Sequence, residues 1–128
     1  MMMKRTVMLF SAVLVLLLAA CGSNVDEQTE KKVTKQAKEV VTLLNEEKYE
    51  ELIKKSDSKM KKELTLESFR EVISNLKESG TFEKFEKSSV EEKENIYVTV
   101  LVAKYSKDKR VFTISFNKQD EVAGLFYK

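Results

Sequence analysis

The sequence predicts an α+β domain, with N-terminal helices packed on one face of a curved four-stranded antiparallel sheet. Three observations carry that expectation. Apolar residues recur at helical spacing from Val33 to Leu76, the period changes to two after Gly80, and short polar segments cut the second half into hairpin-sized runs.

The helical half divides at its punctuation. Val33, Ala37, Val40, Val41 and Leu44 form one apolar stripe, predicting a helix over 28–46 whose other face is Lys and Glu. Tyr49, Leu52 and Ile53 repeat the spacing on a short second helix, and Met60 and Leu64 add a helical turn. The third main helix starts at Thr65, an N-cap residue type, with Leu64 and Phe69 spaced as a hydrophobic staple. Ser68 stands where a capping box would need Glu or Gln, and Glu67 in the first turn suits the helix dipole. Phe69, Val72, Ile73 and Leu76 form its buried stripe, and Gly80 is the left-handed stop.

Strands are expected over 82–90, 95–105, 110–116 and 122–127, with turns at Lys107-Asp108 and Asn117–Glu121. The run 95–105 is apolar on both sides. Ile96, Val98, Val100 and Val102 are assigned to the helices, together with Ile114 of the next strand. That leaves Tyr97, Thr99, Leu101, Ala103 and Tyr105 facing away as a candidate docking face, extended by Val111 and Thr113.

The first twenty residues read as an export signal. Lys4 and Arg5 precede an apolar run from Val7 to Ala20, broken only by Ser11. Fourteen residues of helix reach about 21 Å, short of the roughly 30 Å hydrocarbon core of a bilayer. Leu18-Ala19-Ala20-Cys21 resembles the lipobox of bacterial lipoproteins. The resemblance implies signal-peptidase recognition at Leu18, Ala19 and Ala20 and a lipid on the Cys21 thiol. It places the mature chain on the extracytoplasmic face of a bacterial cell membrane. Two acyl chains anchor stably where one is marginal. Residues 21–29 are expected to be a flexible tether and 30–128 a single domain.

Composition narrows the function classes. Removing residues 1–20 leaves 108, enough to bury a core without a disulfide or metal. The whole chain carries 23 basic and 21 acidic residues, and the leader takes two of the basic ones. The balanced remainder lacks the basic excess of a nucleic-acid-binding protein. One cysteine excludes an intramolecular disulfide framework. The absence of histidine removes the commonest general base and metal ligand.

No motif for catalysis rises above background. Ser-x-x-Lys, a nucleophile pattern of penicillin-interacting enzymes, starts at Ser56, Ser58, Ser74, Ser106 and Ser115, as chance would produce in a chain rich in both residues. Glu46-Glu47 and Glu91-Glu92 lie in polar, turn-like segments and read as solvated surface. No calcium loop or phosphate-binding glycine loop occurs, and no cofactor is expected. The lysines at 54, 55, 59, 61 and 62 read as a solvated helix face that can also meet anionic headgroups. Tyr97, Tyr105, Phe112, Phe116 and Phe126 read as core or as the lining of a pocket.

Helices first and a curved sheet last resemble the cystatin-like cone, also called the nuclear-transport-factor-two-like fold. The segments 111–116 and 122–127, with Asn45–Leu52 and Gly80-Thr81-Phe82, are similar to an exported bacterial family, the domain of unknown function numbered 3887, across roughly 33–127. The resemblance implies no established activity. In cone folds the sheet is a recurrent dimer surface.

The expected function is that of a membrane-anchored extracytoplasmic lipoprotein, a non-enzymatic binding or interaction module. The alternative is a small enzyme or accessory subunit using the cone cavity. Expected partners are the membrane through the lipid on Cys21 and a protein or small apolar ligand, with a homodimer as a further option and no nucleic acid.

Overall fold

The structure is a computed structural model that describes residues 25–128. The expected peptidase-recognition residues Leu18, Ala19 and Ala20 and the expected lipid site Cys21 lie outside the described residues. Four helices, α1 (Glu27–Asn45), α2 (Tyr49–Lys54), α3 (Ser58–Glu63) and α4 (Leu66–Lys77), precede four strands. The strands are β1 (Phe82–Lys93), β2 (Ile96–Tyr105), β3 (Lys109–Phe116) and β4 (Val122–Tyr127), joined as an antiparallel meander in the order β1-β2-β3-β4. The α+β class is as the periodicities indicate, with the turn at Met60 and Leu64 forming a helix of its own.

Three of the four helices begin on a side-chain cap the sequence supplies, while α2 follows Lys48 without one. Asp26 accepts from the Thr29 amide at 2.7 Å, and that amide holds the Asp26 carboxyl below its usual pKa. Asp57 does the same for α3 with the Met60 amide at 2.8 Å. Thr65 accepts from the Ser68 amide at 3.1 Å, and its flanking Leu64 and Phe69 are both buried. α1 ends in a Schellman arrangement, with the Glu47 amide donating to Leu44 O and the Lys48 amide to Leu43 O. Glu47 takes the left-handed position at φ 58 that glycine usually fills. The α1 cap also corrects the expected tether. Residues 27–29 are helical and Val25 packs against the core, so the domain starts well before residue 30.

The core lies between α1, α2 and α4 and one face of the sheet. α1 contributes Val33, Ala37, Val40, Val41 and Leu44, the stripe expected from the spacing. The sheet contributes Val90 of β1, Leu101, Ala103 and Tyr105 of β2, Phe112, Ile114 and Phe116 of β3, and Val122 of β4. This phase reverses the expected facing of β2. Thr99, Leu101 and Ala103 are 0% exposed and Tyr105 is buried, so the candidate docking face is the inner face. Tyr97, in the same phase, is half-buried and packs against the core. Ile96, Val98, Val100 and Val102 instead point away from the helices. The register explains it: Leu101 sits opposite Phe112 and Thr99 opposite Ile114, so β2 must present the odd-numbered residues wherever β3 presents its aromatic face. Val111 and Thr113 do lie on the outer face, beside Val102 and Val100.

β1 is longer than its sequence pattern suggests, running to Lys93, with register shifts between Phe82 and Lys84 and between Phe85 and Lys87. Its outer edge is unpaired in the sheet. At the opposite side, the α2–α3 link crosses the start of β4, where Val122 N donates to Lys55 O and Asp57 N to Val122 O.

Candidate functional site

Two features of this fold have the character of a site, and they lie on opposite faces of the sheet.

The first is a cavity of about 240 Å³ where the C-terminal ends of α1, α4 and β2 meet the start of β1. Its apolar wall is Leu44, Ile73, Leu76 and Phe82. Its polar groups include Asn45, Lys77, Thr81 and Tyr105. The Tyr105 hydroxyl donates to Asn45 Oδ1 at 2.6 Å, which leaves the Asn45 amide N–H groups free to meet an acceptor. Burial pushes the Tyr105 phenol above its usual pKa, against the Asn45 hydrogen bond and the Arg110 charge, so it stays a neutral donor. The Lys77 ammonium pairs with Glu47 at 3.4 Å near the mouth.

The mouth is braced by turns that only specific residues allow. Gly80 has φ 91, and a Cβ built there would lie 2.0 Å from Ser106 Oγ. That closeness lets Ser106 N donate to Thr81 O at 2.8 Å and the Thr81 amide donate to Ser106 Oγ at 2.9 Å. Arg110 extends from β3 and donates to Ser79 Oγ at 2.5 Å and Asn75 O at 2.8 Å. Asn75 in turn donates to the Tyr127 hydroxyl at 2.7 Å. The C-terminal end of α4 is thus tied to β3 and β4 by side chains the sequence pattern did not single out. Their only sequence signal is a lone arginine in a lysine-rich strand region, since its fork reaches two acceptors where an ammonium serves one point.

The second feature is the outer face of the sheet. Val98, Val100, Val102, Val111 and Thr113 are half-buried there, Ile96 is 38% exposed and Phe126 of β4 is 70% exposed. Thr113 sits opposite Phe126 and Val100 opposite Thr113, so these residues form one continuous row. At the end of this face near the cavity mouth, Lys84, Lys104 and Lys109 lie side by side on three adjacent strands. Glu83 pairs with Lys104 at 3.6 Å and Glu86 with Lys109 at 2.9 Å. The Lys109 hydrogen bond holds the Glu86 carboxyl below its usual pKa.

The remaining candidates separate. Tyr105, Phe112 and Phe116 are core, Tyr105 also lining the cavity, whereas Phe126 is not core at all. Tyr97 has the Lys118 ammonium 4.1 Å from its ring centre. The inner face carries one unexplained polar group, the buried Thr99 hydroxyl, which has no hydrogen-bond partner among the described residues. Among the described residues, no cluster of three His, Cys, Asp or Glu is placed to hold a metal, and no helix is long and apolar enough to cross a membrane.

The fold is similar to a protein from Ruminococcus gnavus ATCC 29149 whose structure was determined by NMR. The two share 21% sequence identity over 80% of this chain and 90% of that one, with a TM-score of 0.68. At that identity the likeness concerns the fold alone. No curated protein matches the sequence. The family model described as "Protein of unknown function (DUF3887)" matches residues 37–125, which takes in the C-terminal half of α1, all of the sheet but its last residues, and every cavity-lining residue. The chain therefore belongs to the DUF3887 family of proteins of unknown function.

Proposed function

We propose that the protein is a lipid-anchored binding module on the extracytoplasmic face of a bacterial membrane, and that it performs no chemistry on its ligand. The observation that carries the reading is the make-up of the cavity. It joins an apolar wall to a neutral hydroxyl–amide pair, Tyr105 and Asn45, with one ammonium near the mouth. The buried polar residues of β2 are Thr99 and Tyr105, and neither acts as a general base near neutral pH. Such a lining suits a small, largely apolar ligand with a hydrogen-bond acceptor at one end. The helix-then-sheet order and a cavity between the two layers support placing the fold with the cystatin-like cones. The anchor reading is supported by Leu18-Ala19-Ala20-Cys21 behind a basic and apolar leader.

Two measurements test it. Bacteria expressing the full chain are grown with a labelled fatty acid, and the label is expected on the wild type and not on Cys21→Ser. Equal labelling of both sinks the anchor. For the cavity, an environment-sensitive apolar dye is expected to brighten on the wild type. Ile73→Phe narrows the space and is expected to abolish the response. A dye response that ignores this substitution places the apolar site elsewhere.

A further inference from the structure

The outer sheet face combines two properties that folding alone does not require. The first is the lysine row. In an antiparallel sheet, like charges directly opposite one another are destabilising. Lys84 lies opposite Lys104, and Lys104 opposite Lys109, on strands about 4.8 Å apart. The next outward row adds Lys87, opposite Val102. The two register shifts in β1 bring Glu83 and Glu86 to Lys104 and Lys109. Among the described residues, no carboxylate lies within ion-pair distance of Lys84 or Lys87. The face therefore keeps a positive excess at one end. The second property is Phe126, 70% exposed beside Val100 and Thr113, an aromatic ring held out on a short strand. Exposed aromatic and aliphatic groups next to lysines are the make-up of a surface that sits at a lipid interface.

We infer that this outer face docks on an anionic lipid surface, with Phe126 entering the headgroup region and the lysine row meeting lipid phosphates. The inference rests on the anchor at Cys21. Two arguments favour lipid over other occupants. Charge complementarity is one, since lysines near an anionic leaflet lie within its Debye length of about 8 Å. The other is where the chain outside the structure leads. Cys21 precedes Val25 by four residues, which span at most about 14 Å. A domain tethered that closely meets the bilayer constantly. Lys32 pairs with Asp120 at 3.0 Å, so the start of α1 lies by the β3–β4 turn, at the sheet end opposite the lysine row. The lipid would then hold one end of the domain and the lysines the other. A short anchor supplemented by basic residues is a recognised two-signal arrangement.

The chain contains no tryptophan, so Phe126→Trp provides a single fluorescent reporter. The full lipidated protein carrying Phe126→Trp is placed in vesicles of phosphatidylcholine alone or of equal parts phosphatidylcholine and phosphatidylglycerol. On the anionic vesicles the indole emission is expected to shift to the blue and to be quenched by brominated lipid. On the neutral vesicles it is expected to stay solvent-like. Adding Lys84→Gln, Lys104→Gln and Lys109→Gln should shift the docked-to-free ratio by roughly fivefold per lysine, about a hundredfold together. High salt should mimic that loss. Thermal unfolding of each variant confirms that the fold is kept, which the surface positions and the relief of like charge favour. Three outcomes overturn the inference. One is identical emission on both vesicles. Another is a blue shift without vesicles that grows with protein concentration, which assigns the face to a second copy. The third is lysine acylation at 84, 104 and 109 that is free on anionic vesicles and blocked in cells, which assigns it to a protein. Release from neutral vesicles disproves the anchor alone, because anionic vesicles must still bind the protein and shift the indole if the face docks on lipid.

Discussion

The Tyr105 hydroxyl at the end of β2 donates to Asn45 Oδ1 at the end of α1 over 2.6 Å, joining the two layers at the cavity. Tyr105→Phe keeps the ring and removes the bond, and is expected to cost about 1 kcal/mol. The pH dependence carries a second signature. Burial raises the Tyr105 pKa, so the folded state keeps its proton longer than the unfolded chain does. The associated stability is complete below the ordinary tyrosine pKa of about 10 and is lost as pH rises through the folded-state value. Urea unfolding in alkaline buffers should therefore show wild type and Tyr105→Phe converging. A constant difference across that range contradicts the assignment.

Thr99 places a hydroxyl with no partner in the core, which costs roughly 1–3 kcal/mol. Thr99→Val has nearly the same shape without the polar atom. It is expected to raise the unfolding free energy measured in urea by about 1 kcal/mol. A loss of stability would mean that the hydroxyl is satisfied in solution by water.

Gly80→Ala meets two obstacles at once, a φ of 91 and Ser106 Oγ 2.0 Å from the new Cβ. The expected cost is about 2 kcal/mol or more, combining backbone strain with displacement of the Ser106 side chain. The displaced Ser106 side chain also gives up its bond to the Thr81 amide, so adding Ser106→Ala removes the clash and leaves the backbone strain and that lost bond in place. Calorimetry on both variants should find the double variant no less stable than Gly80→Ala. Full recovery of wild-type stability would remove the backbone part of the argument.

Neighbouring residues on β2 give the sharpest check of which face is buried. Leu101 is 0% exposed, so Leu101→Lys places an ammonium in the core and is expected to abolish cooperative unfolding. Val100 lies on the outer face, and Val100→Lys should cost at most about 1 kcal/mol. Far-ultraviolet circular dichroism during heating separates the two. Tolerance of lysine at 101 and collapse at 100 would reverse the facing.

The two longer helices were legible because they carry local signals, an apolar stripe in both and, in α4, a cap residue and a stop as well. Thr65, Phe69 and Gly80 all occupy the expected roles. The facing of β2 was not, because Val and Ile on one side and Leu, Tyr and Thr on the other satisfy the same strand preference. One residue held the answer. Lys104 is in phase with Val98, Val100 and Val102, and a lysine on that side marks it as the wetter one. The strand β3, with Phe112, Ile114 and Phe116 alternating against Lys109, Val111, Thr113 and Ser115, was the firmer guide to the core. The cavity was legible only in part. Tyr105 stood among the aromatic candidates, but its meeting with Asn45 spans sixty residues and no local pattern encodes it.

On the proposed anchor, the free edge of β1 bears on how many copies a membrane can carry. Twelve residues of strand with unpaired backbone groups would ordinarily invite another chain to add to the sheet. Copies fixed to one surface meet far more often than the same number in free solution. Here two register shifts bend the edge, and seven of its twelve residues are charged, with both signs represented. An approaching copy finds no straight run of donors and acceptors and must strip water from lysines and glutamates to pair. On that proposal the sheet can stay open along one side while neighbouring copies crowd against it.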